Sequence, residues 1–471
     1  MADELYRKSA FELAALIRAR QVKPSELMEA TLARIAAINP KVNAFCALRA
    51  DQAMAEAHAL DEKLARREEV GTLAGLPLGV KDLEDAAGLP TTFGSVPFKN
   101  HMPEADSAHV ARLKAAGAIV VGKTNTPEFG CTGFTRNLLF GVTRNPWNPE
   151  RTPGGSSGGS GAAIAAAMVP LATGSDAGGS IRIPASYTGC FGFKPSRGRI
   201  PLSPMLGIAG WTDTLVVGPL TRTVRDAAMY VDAAVGYDPS DYESLPHPGI
   251  SYLAMLERFP RNARVAFHPD FGHAIVQHDV MREVTKAVDA FKQMGCSVDV
   301  LDDNVPEIGP DWMRFEATCM YAWVFDLIEK HRGEFGRAFL AGAESAAQFG
   351  WDKVAAVQRK RAELNRWCQR VFERYDLLLT PTLPSEAFAA GGPPPSEIDG
   401  KPLPDVIAAV MFTYPFNMSG HPAASVRAGM TDSGLPCGLQ IVAERHRDDL
   451  VLQASYAYEQ ARPWNNSWPQ I

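Results

Sequence analysis

The sequence is poor in cysteine and has no paired cysteine motif. Seven cysteines are scattered over 471 residues, the count is odd, and no Cys-x-x-Cys occurs. This argues against a disulfide scaffold and points to a reducing compartment, the cytoplasm. Long apolar runs are also missing. The most apolar stretch, Gly161 to Ala172, is alanine-rich, contains Pro170 and is too short to span a bilayer. Met1 to Arg20 mixes charged and apolar residues and does not read as a secretory signal. Positive charge is not in excess: 47 Lys and Arg against 53 Asp and Glu give a formal charge of −6. Neither a nucleic-acid partner nor a membrane is expected from that balance. No His, Cys and Asp cluster has metal-ligand spacing, so no metal and no cofactor is expected.

What is present reads as a large globular chain. Hydrophobic residues make up 46% and charged residues 21%, ordinary values for a folded domain. Helical spacing covers 5–20, 25–38 and 50–68, with Ser25 as a helix start. From Leu76 short apolar strands alternate with helices: Leu76 to Val80, a helix over 106–116, then Ala118 to Val121. Further strands are expected at Arg264 to Phe267, Ser297 to Leu301, Asp376 to Thr380 and Cys437 to Val442. Helices are expected over 278–293, much of 311–372 and 447–460. Strand and helix in alternation imply an α/β fold. We read 1–471 as a single unit with an N-terminal helical layer over 1–70, a core over 71–235, a partly separate substrate-pocket lobe over 236–400, and a return to the core over 401–471.

Glycine concentrates between 145 and 198. The run Thr152–Pro153–Gly154–Gly155–Ser156–Ser157–Gly158–Gly159–Ser160–Gly161 leads into an alanine-rich helix. It is followed by Gly174–Ser175–Asp176–Ala177–Gly178–Gly179–Ser180–Ile181–Arg182. Clustered glycine is entropically costly and makes sense where backbone turns tightly or approaches a reacting group. Unpaired amides at a helix start attract negative charge, and successive amides over 177–180 could serve one oxygen. Acyl transfer needs that when a carbonyl oxygen becomes an anion. A phosphate loop would need Lys after the glycines, and Ser160–Gly161 stand there instead. Gly154 to Gly158 has the letters of a Gly-x-Ser-x-Gly elbow, but Arg151, Thr152 and Pro153 stand where its strand should be. A glycine-rich structural turn stays open as a second reading. Among bases, Lys81 at the end of an apolar strand could be buried and partly neutral.

The segment Gly154 to Pro184 closely resembles the signature of the amidase signature family, serine hydrolases of carboxamides with a Ser–cis-Ser–Lys triad. Leu78–Gly79–Val80–Lys81–Asp82, Gly122 to Phe129, Asn417 to Gly420 and Gly434 to Ile441 resemble further blocks of that family. The resemblance implies a large mixed β-sheet covered by helices on both faces. It implies Ser180 as the nucleophile, Ser156 as a bridging serine with a cis bond to Gly155, and Lys81 as the base. The oxyanion would be held by the backbone of Ala177, Gly178, Gly179 and Ser180. Asp176 and Arg182 would form a buried supporting pair, and Ser157 would fix the loop or cap the next helix. The implied reaction is hydrolysis of small or medium carboxamides through an acyl-enzyme, with amide and water as partners and room left for a homodimer. The same fold serves the glutamine-hydrolysing A subunit of a tRNA-dependent amidotransferase, which stands as the alternative. Against it, Pro204 to Thr214 lacks the Ser–Phe–Asp–Gln run associated with that protein. Specificity is expected in 204–214 and 311–400, with Phe140, Trp147, Tyr187, Trp211, Met320 and Trp323 as candidate pocket residues. Cys131, Cys190 and Cys319 have no His neighbour in sequence and are expected to be structural.

Overall fold

The computed structural model describes residues 5–208, 210–464 and 466–471. Residues 1–4 of the N-terminal layer and Ala209 of the 204–214 stretch lie outside the described residues. One mixed sheet of 11 strands organises the chain. Its strands are β1 (Phe45–Leu48), β2 (Pro77–Lys81), β3 (Ile119–Thr124), β4 (Leu171–Asp176), β5 (Phe191–Lys194), β6 (Val216–Thr221), β7 (Arg264–Phe267), β8 (Ser297–Val300), β9 (Leu377–Pro381), β10 (Ala423–Met430) and β11 (Pro436–Ala443). Their spatial order is β1-β3-β2-β4-β6-β5-β10-β11-β9-β7-β8. β2 runs parallel to β3 and β4, and β7 runs parallel to β8 and β9. The strands between them pair antiparallel.

The main helices are α1 (Ala10–Arg18), α2 (Pro24–Val42), α3 (Ala50–Ala65), α4 (Ala108–Ala115), α5 (Gly158–Ala165), α6 (Arg182–Thr188), α7 (Val224–Ala234), α8 (His278–Gln293), α9 (Gly309–Val324), α10 (Arg337–Ala346), α11 (Trp351–Arg374) and α12 (Asp448–Ala461). Strand periodicity of two sends alternate side chains to opposite faces. Leu377, Leu379, Val265, Leu439 and Ile441 join a core with α1, α7, α8 and α12. Leu378, Ala266 and Val442 face a different core with α11, and Ile119, Val121 and Ala172 pack under α2, α3 and α5. Each fully buried aliphatic side chain contributes roughly 1.5–3 kcal/mol, so this sandwich holds the sheet rigid beneath the site.

Several elements differ from the sequence reading. The second helix starts at Pro24 rather than Ser25, because Pro suits a first helical position and the Glu26 carboxylate accepts the Lys23 amide at 2.9 Å. Strands β1, β4, β5, β6 and β10 have no counterpart in that reading. β4 reads Leu-Ala-Thr-Gly-Ser-Asp, too polar and glycine-bearing for a strand pattern, yet it is buried throughout and paired on both edges. Strands β7, β8 and β9, drawn from 264–381, extend the same sheet as the core.

Candidate active site

Parallel neighbours β2 and β4 run side by side, with Leu78 opposite Leu171 and Gly79 opposite Ala172. They end at Lys81 and Asp176, so two charged side chains emerge together at the carboxyl ends of parallel strands, where α/β sheets open a crevice. The Lys81 amide donates to Thr173 Oγ1 at 2.9 Å, locking the strand end. Lys81 is fully buried. Its Nζ donates to Ser156 Oγ at 2.7 Å and to Ser175 Oγ at 2.9 Å. Burial pulls the amine down to about 7, against the opposing charges of Glu84 and Asp176. A neutral lysine is therefore accessible near pH 7.

Ser156 follows a cis peptide bond from Gly155. Gly155 has no room for a side chain, since a Cβ would fall 2.6 Å from the Phe134 amide nitrogen. Ser180 is half-buried, and its carbonyl accepts the Ser157 amide at 3.1 Å, which sets the 180 backbone against the 156–157 turn. Among the described residues the Ser180 hydroxyl makes no hydrogen bond to another protein group, and Ser180 is more exposed than the buried Lys81 and Ser156.

Asp176 organises the loop between β4 and α6. Its carboxylate accepts Gly179 N at 2.7 Å, Ile181 N at 3.1 Å, Arg182 Nε at 3.0 Å, Arg182 Nη2 at 2.9 Å and Asn417 Nδ2 at 2.8 Å. Burial opposes the charge, but the guanidinium and these donors hold the carboxyl well below the usual carboxylate range. Arg182 is itself completely buried and also donates to Gln440 Oε1, Asn417 Oδ1 and the Thr413 carbonyl. The C-terminal segments 413–417 and 436–443 are thereby tied to the loop that carries Ser180.

The carbonyls of the loop are clamped one by one. Ala177 O accepts Trp312 Nε1 at 3.2 Å, Gly178 O accepts Thr413 Oγ1 at 2.6 Å, and Gly179 O accepts Ile183 N at 2.6 Å. Among the described residues, the amides of Ala177, Gly178 and Ser180 have no protein acceptor.

Beside this centre an aromatic cluster gathers Leu83, Phe93, Phe129, Val324, Ile328, Phe335 and Phe339, with Met205, Leu206, Met320 and Trp323 at its edge. Phe129 stacks on Phe93 at 5.4 Å and on Phe339 at 4.7 Å. At Gly130 the two regions meet: a Cβ there would lie 3.1 Å from both Ser156 Oγ and Leu83 Cδ1. A cavity runs from Ser175 past Leu83 and Phe93 to Met205, Leu206 and Trp323.

Comparison with known proteins agrees with this geometry. The Amidase family model matches residues 26–452. The chain is 36% identical to an acylamidase of Rhodococcus erythropolis, covering 99% of this chain and 98% of that one. It is 35% identical to the A subunit of the glutamyl-tRNA(Gln) amidotransferase of Acaryochloris marina, covering 95% and 96%. A solved bacterial aryl acylamidase of the amidase signature enzymes superposes with a TM-score of 0.92 at 34% identity, covering 98% of this chain and 97% of that one. The chain belongs to the amidase family. It is an amide C–N hydrolase on an α/β fold.

In this amidase the expected residues Lys81, Ser156, Asp176, Arg182 and the 177–180 loop converge. One detail differs from expectation: the Gly179 amide, expected at the oxyanion, is already bonded to Asp176. Of the two roles expected of Ser157, its side chain does not cap α5 but does fix the loop: the hydroxyl donates to Ser175 O and accepts Ser175 N, each at 3.3 Å, and its amide donates to Ser180 O at 3.1 Å. Ser175 went unrecognised as a lysine partner because its contact spans 94 positions and strand β4 itself was not legible. Trp312 was missed because its residue type and surroundings in sequence point only to a helix. Of the candidate pocket residues, Trp323 and Met320 reach the aromatic cluster. Trp147 and Tyr187 pack in another cluster with Leu383 and Leu435, and Trp211 donates to Thr318 Oγ1 at 3.1 Å. Phe140 is tied to Asn43 through its carbonyl. The thiols are unsuited to nucleophilic work: burial pushes Cys131 up to about 12 and Cys190 up to about 11, and raises Cys319. Lys123, the other buried lysine of the recognised blocks, donates to Thr91 Oγ1 at 2.9 Å and to the Glu84 carbonyl, and lies 3.6 Å from Asp82. It braces the turn after β2. No helix is long and apolar enough to cross a membrane among the described residues.

Proposed function

We propose that this amidase cleaves aryl or acyl carboxamides of small to medium size with Ser180 as nucleophile, Ser156 as proton bridge and Lys81 as base. Neutral Lys81 takes a proton from Ser156 as Ser156 takes one from Ser180, and the Ser180 oxygen attacks the amide carbon. The carbonyl π pair moves onto oxygen, which the loop amides stabilise. Collapse of the intermediate breaks the C–N bond, and the reversed relay protonates the departing amine. Water, deprotonated by the same relay, attacks the ester and regenerates Ser180. The observation that carries this reading is the buried Lys81 amine, 2.7 Å from Ser156 and lowered by burial to about 7, so that a substantial neutral fraction exists near pH 7.

The aromatic cluster beside Ser156 supports the substrate class, since flat apolar groups gain most from stacking there. The substrate pocket falls in 204–214 and in the helices of the 236–400 region, within the single unit 1–471. Seven free cysteines fit a reducing, cytoplasmic setting. The test is a panel of anilides, aliphatic amides, peptide amides and glutamine, with an active-site phosphonate to label the nucleophile. Turnover of anilides by the purified chain and phosphonate on Ser180 are expected. Turnover retained by Ser180→Ala would remove the assignment. The amidotransferase reading has its own support in the similarity to the Acaryochloris marina protein; it requires ammonia release from glutamine only when a partner protein is added.

A further inference from the structure

A trans peptide is planar, so a carbonyl and the amide hydrogen that follows it point in opposite directions. This converts the clamps on the 177–180 loop into aims. Among the described residues the only cis bonds are Gly155–Ser156 and Gly392–Pro393, so every peptide of the loop is trans. The carbonyl of Gly178 is held by Thr413, and the amide of Gly179 runs the other way into Asp176. The carbonyl of Ser180 is held by Ser157, and the amide of Ile181 also runs into Asp176. The alternate peptides, Ala177–Gly178 and Gly179–Ser180, carry amides that end on no acceptor among the described residues. Gly179 O is held by Ile183, which directs the Ser180 amide, and that clamp is local to the turn. Ala177 O is held by Trp312, 135 positions away, which directs the Gly178 amide.

We propose that Trp312 is a positioning residue for amide hydrolysis, aiming the Gly178 amide at the carbonyl oxygen of the substrate; this rests on the Ser180 reading above. The indole is itself fixed. It stacks on Tyr414 with ring centroids 5.1 Å apart and planes 11° from parallel. It also lies so close over Gly178 that a Cβ there would fall 2.0 Å from Trp312 Cζ2. Glycine at 178 is thus required by the ring that directs its peptide. The same helix, α9, carries the wall of the pocket: Cys319 Sγ donates to Thr212 Oγ1 at 3.5 Å, and Glu316 accepts from Thr214 Oγ1. One rigid element therefore holds both the oxyanion loop and the 211–214 segment. Trp312 acts through the Ala177–Gly178 peptide, so its effect is expected on the transition state and not on ground-state binding.

The experiment uses the full-length enzyme and Trp312→Phe, which keeps a ring and removes the N–H. Two quantities are read: kcat and KM for acetanilide, and the Ki of phenylboronic acid, whose tetrahedral adduct with Ser180 places an oxygen in the same hole. Loss of a whole oxyanion donor costs about 10²–10³ in kcat, so misdirecting one is expected to cost about ten- to a hundredfold. Ki should weaken by a similar factor while KM stays within about threefold. Unchanged kcat and Ki would overturn the inference, as would KM and Ki rising together with kcat intact. If Trp312→Phe unfolds, Trp312→Tyr is read in the same way. Failure of the underlying reading is distinct: Ser180→Ala would stay active and phenylboronic acid would not inhibit the wild-type enzyme.

Discussion

Ser175 Oγ lies 2.9 Å from Lys81 Nζ, giving the buried lysine a second hydroxyl besides that of Ser156. The amine is thus held from two sides, by the strand that precedes the 177–180 loop and by the turn that precedes α5. Its direction is fixed before any substrate arrives, which is what proton transfer in a closed site requires.

The two hydroxyls are expected to differ in consequence. Ser175→Ala removes a tether and leaves the relay, so kcat should fall about ten- to a hundredfold, in line with roughly 1–3 kcal/mol for a buried hydrogen bond. Ser156→Ala removes the proposed proton bridge and should reduce kcat well beyond that. Steady-state hydrolysis of one anilide by both variants makes the comparison, and equal losses would contradict a separate role for Ser156.

The pH profile follows from Lys81. Burial lowers its affinity for a proton, and in the proposed relay the working form is the neutral amine, so activity is expected to be absent when the group is protonated. As pH rises through about 7 the neutral fraction grows, and log(kcat/KM) should climb with unit slope below that value and level off above it. Asp176 stays ionised throughout, because Arg182 holds its carboxyl far below the usual range. A stopped assay at constant ionic strength from pH 5 to 9 reads the curve. Lys81→Met should leave no measurable turnover at any pH.

Breaking the Asp176–Arg182 pair should destabilise the fold as well as the site. Both side chains are completely buried, so Arg182→Met leaves a carboxylate without its cation. A loss of about 3–5 kcal/mol is expected from denaturant unfolding. The charge-keeping Arg182→Lys should recover only part, since a lysine cannot serve Asp176, Gln440 and Asn417 at once.

Glycine substitutions separate crowding from loop flexibility. Gly178→Ala drives a methyl into the Trp312 ring and should cost about 1–3 kcal/mol together with most activity. Gly210→Ala, whose Cβ would meet only Cys319 Sγ at 3.9 Å among the described residues, should be nearly neutral in thermal melts.

Sequence and structure divide the work unevenly. The outer elements were legible because their patterns are strong: α8 over 278–293 and β7 over 264–267 appear with the expected bounds. Gly154 to Pro184 carried enough information to name the family, since few other uses require that many glycines and serines in that order. Strands β4, β5 and β6 were not legible. A strand buried on both faces and paired on both edges needs no alternation, and glycine or serine is tolerated where neighbouring backbone supplies the stability. Contacts from Lys81 to Ser175, from Arg182 to Gln440 and from Trp312 to Ala177 join positions 94, 258 and 135 apart. Residue type set what each of these groups could do, a base, a planar cation, an indole donor. Which partner each one met was decided only when the sheet brought β2, β4, β11 and α9 together, because hydrogen bonds act over about 3 Å and carry no signal along the chain.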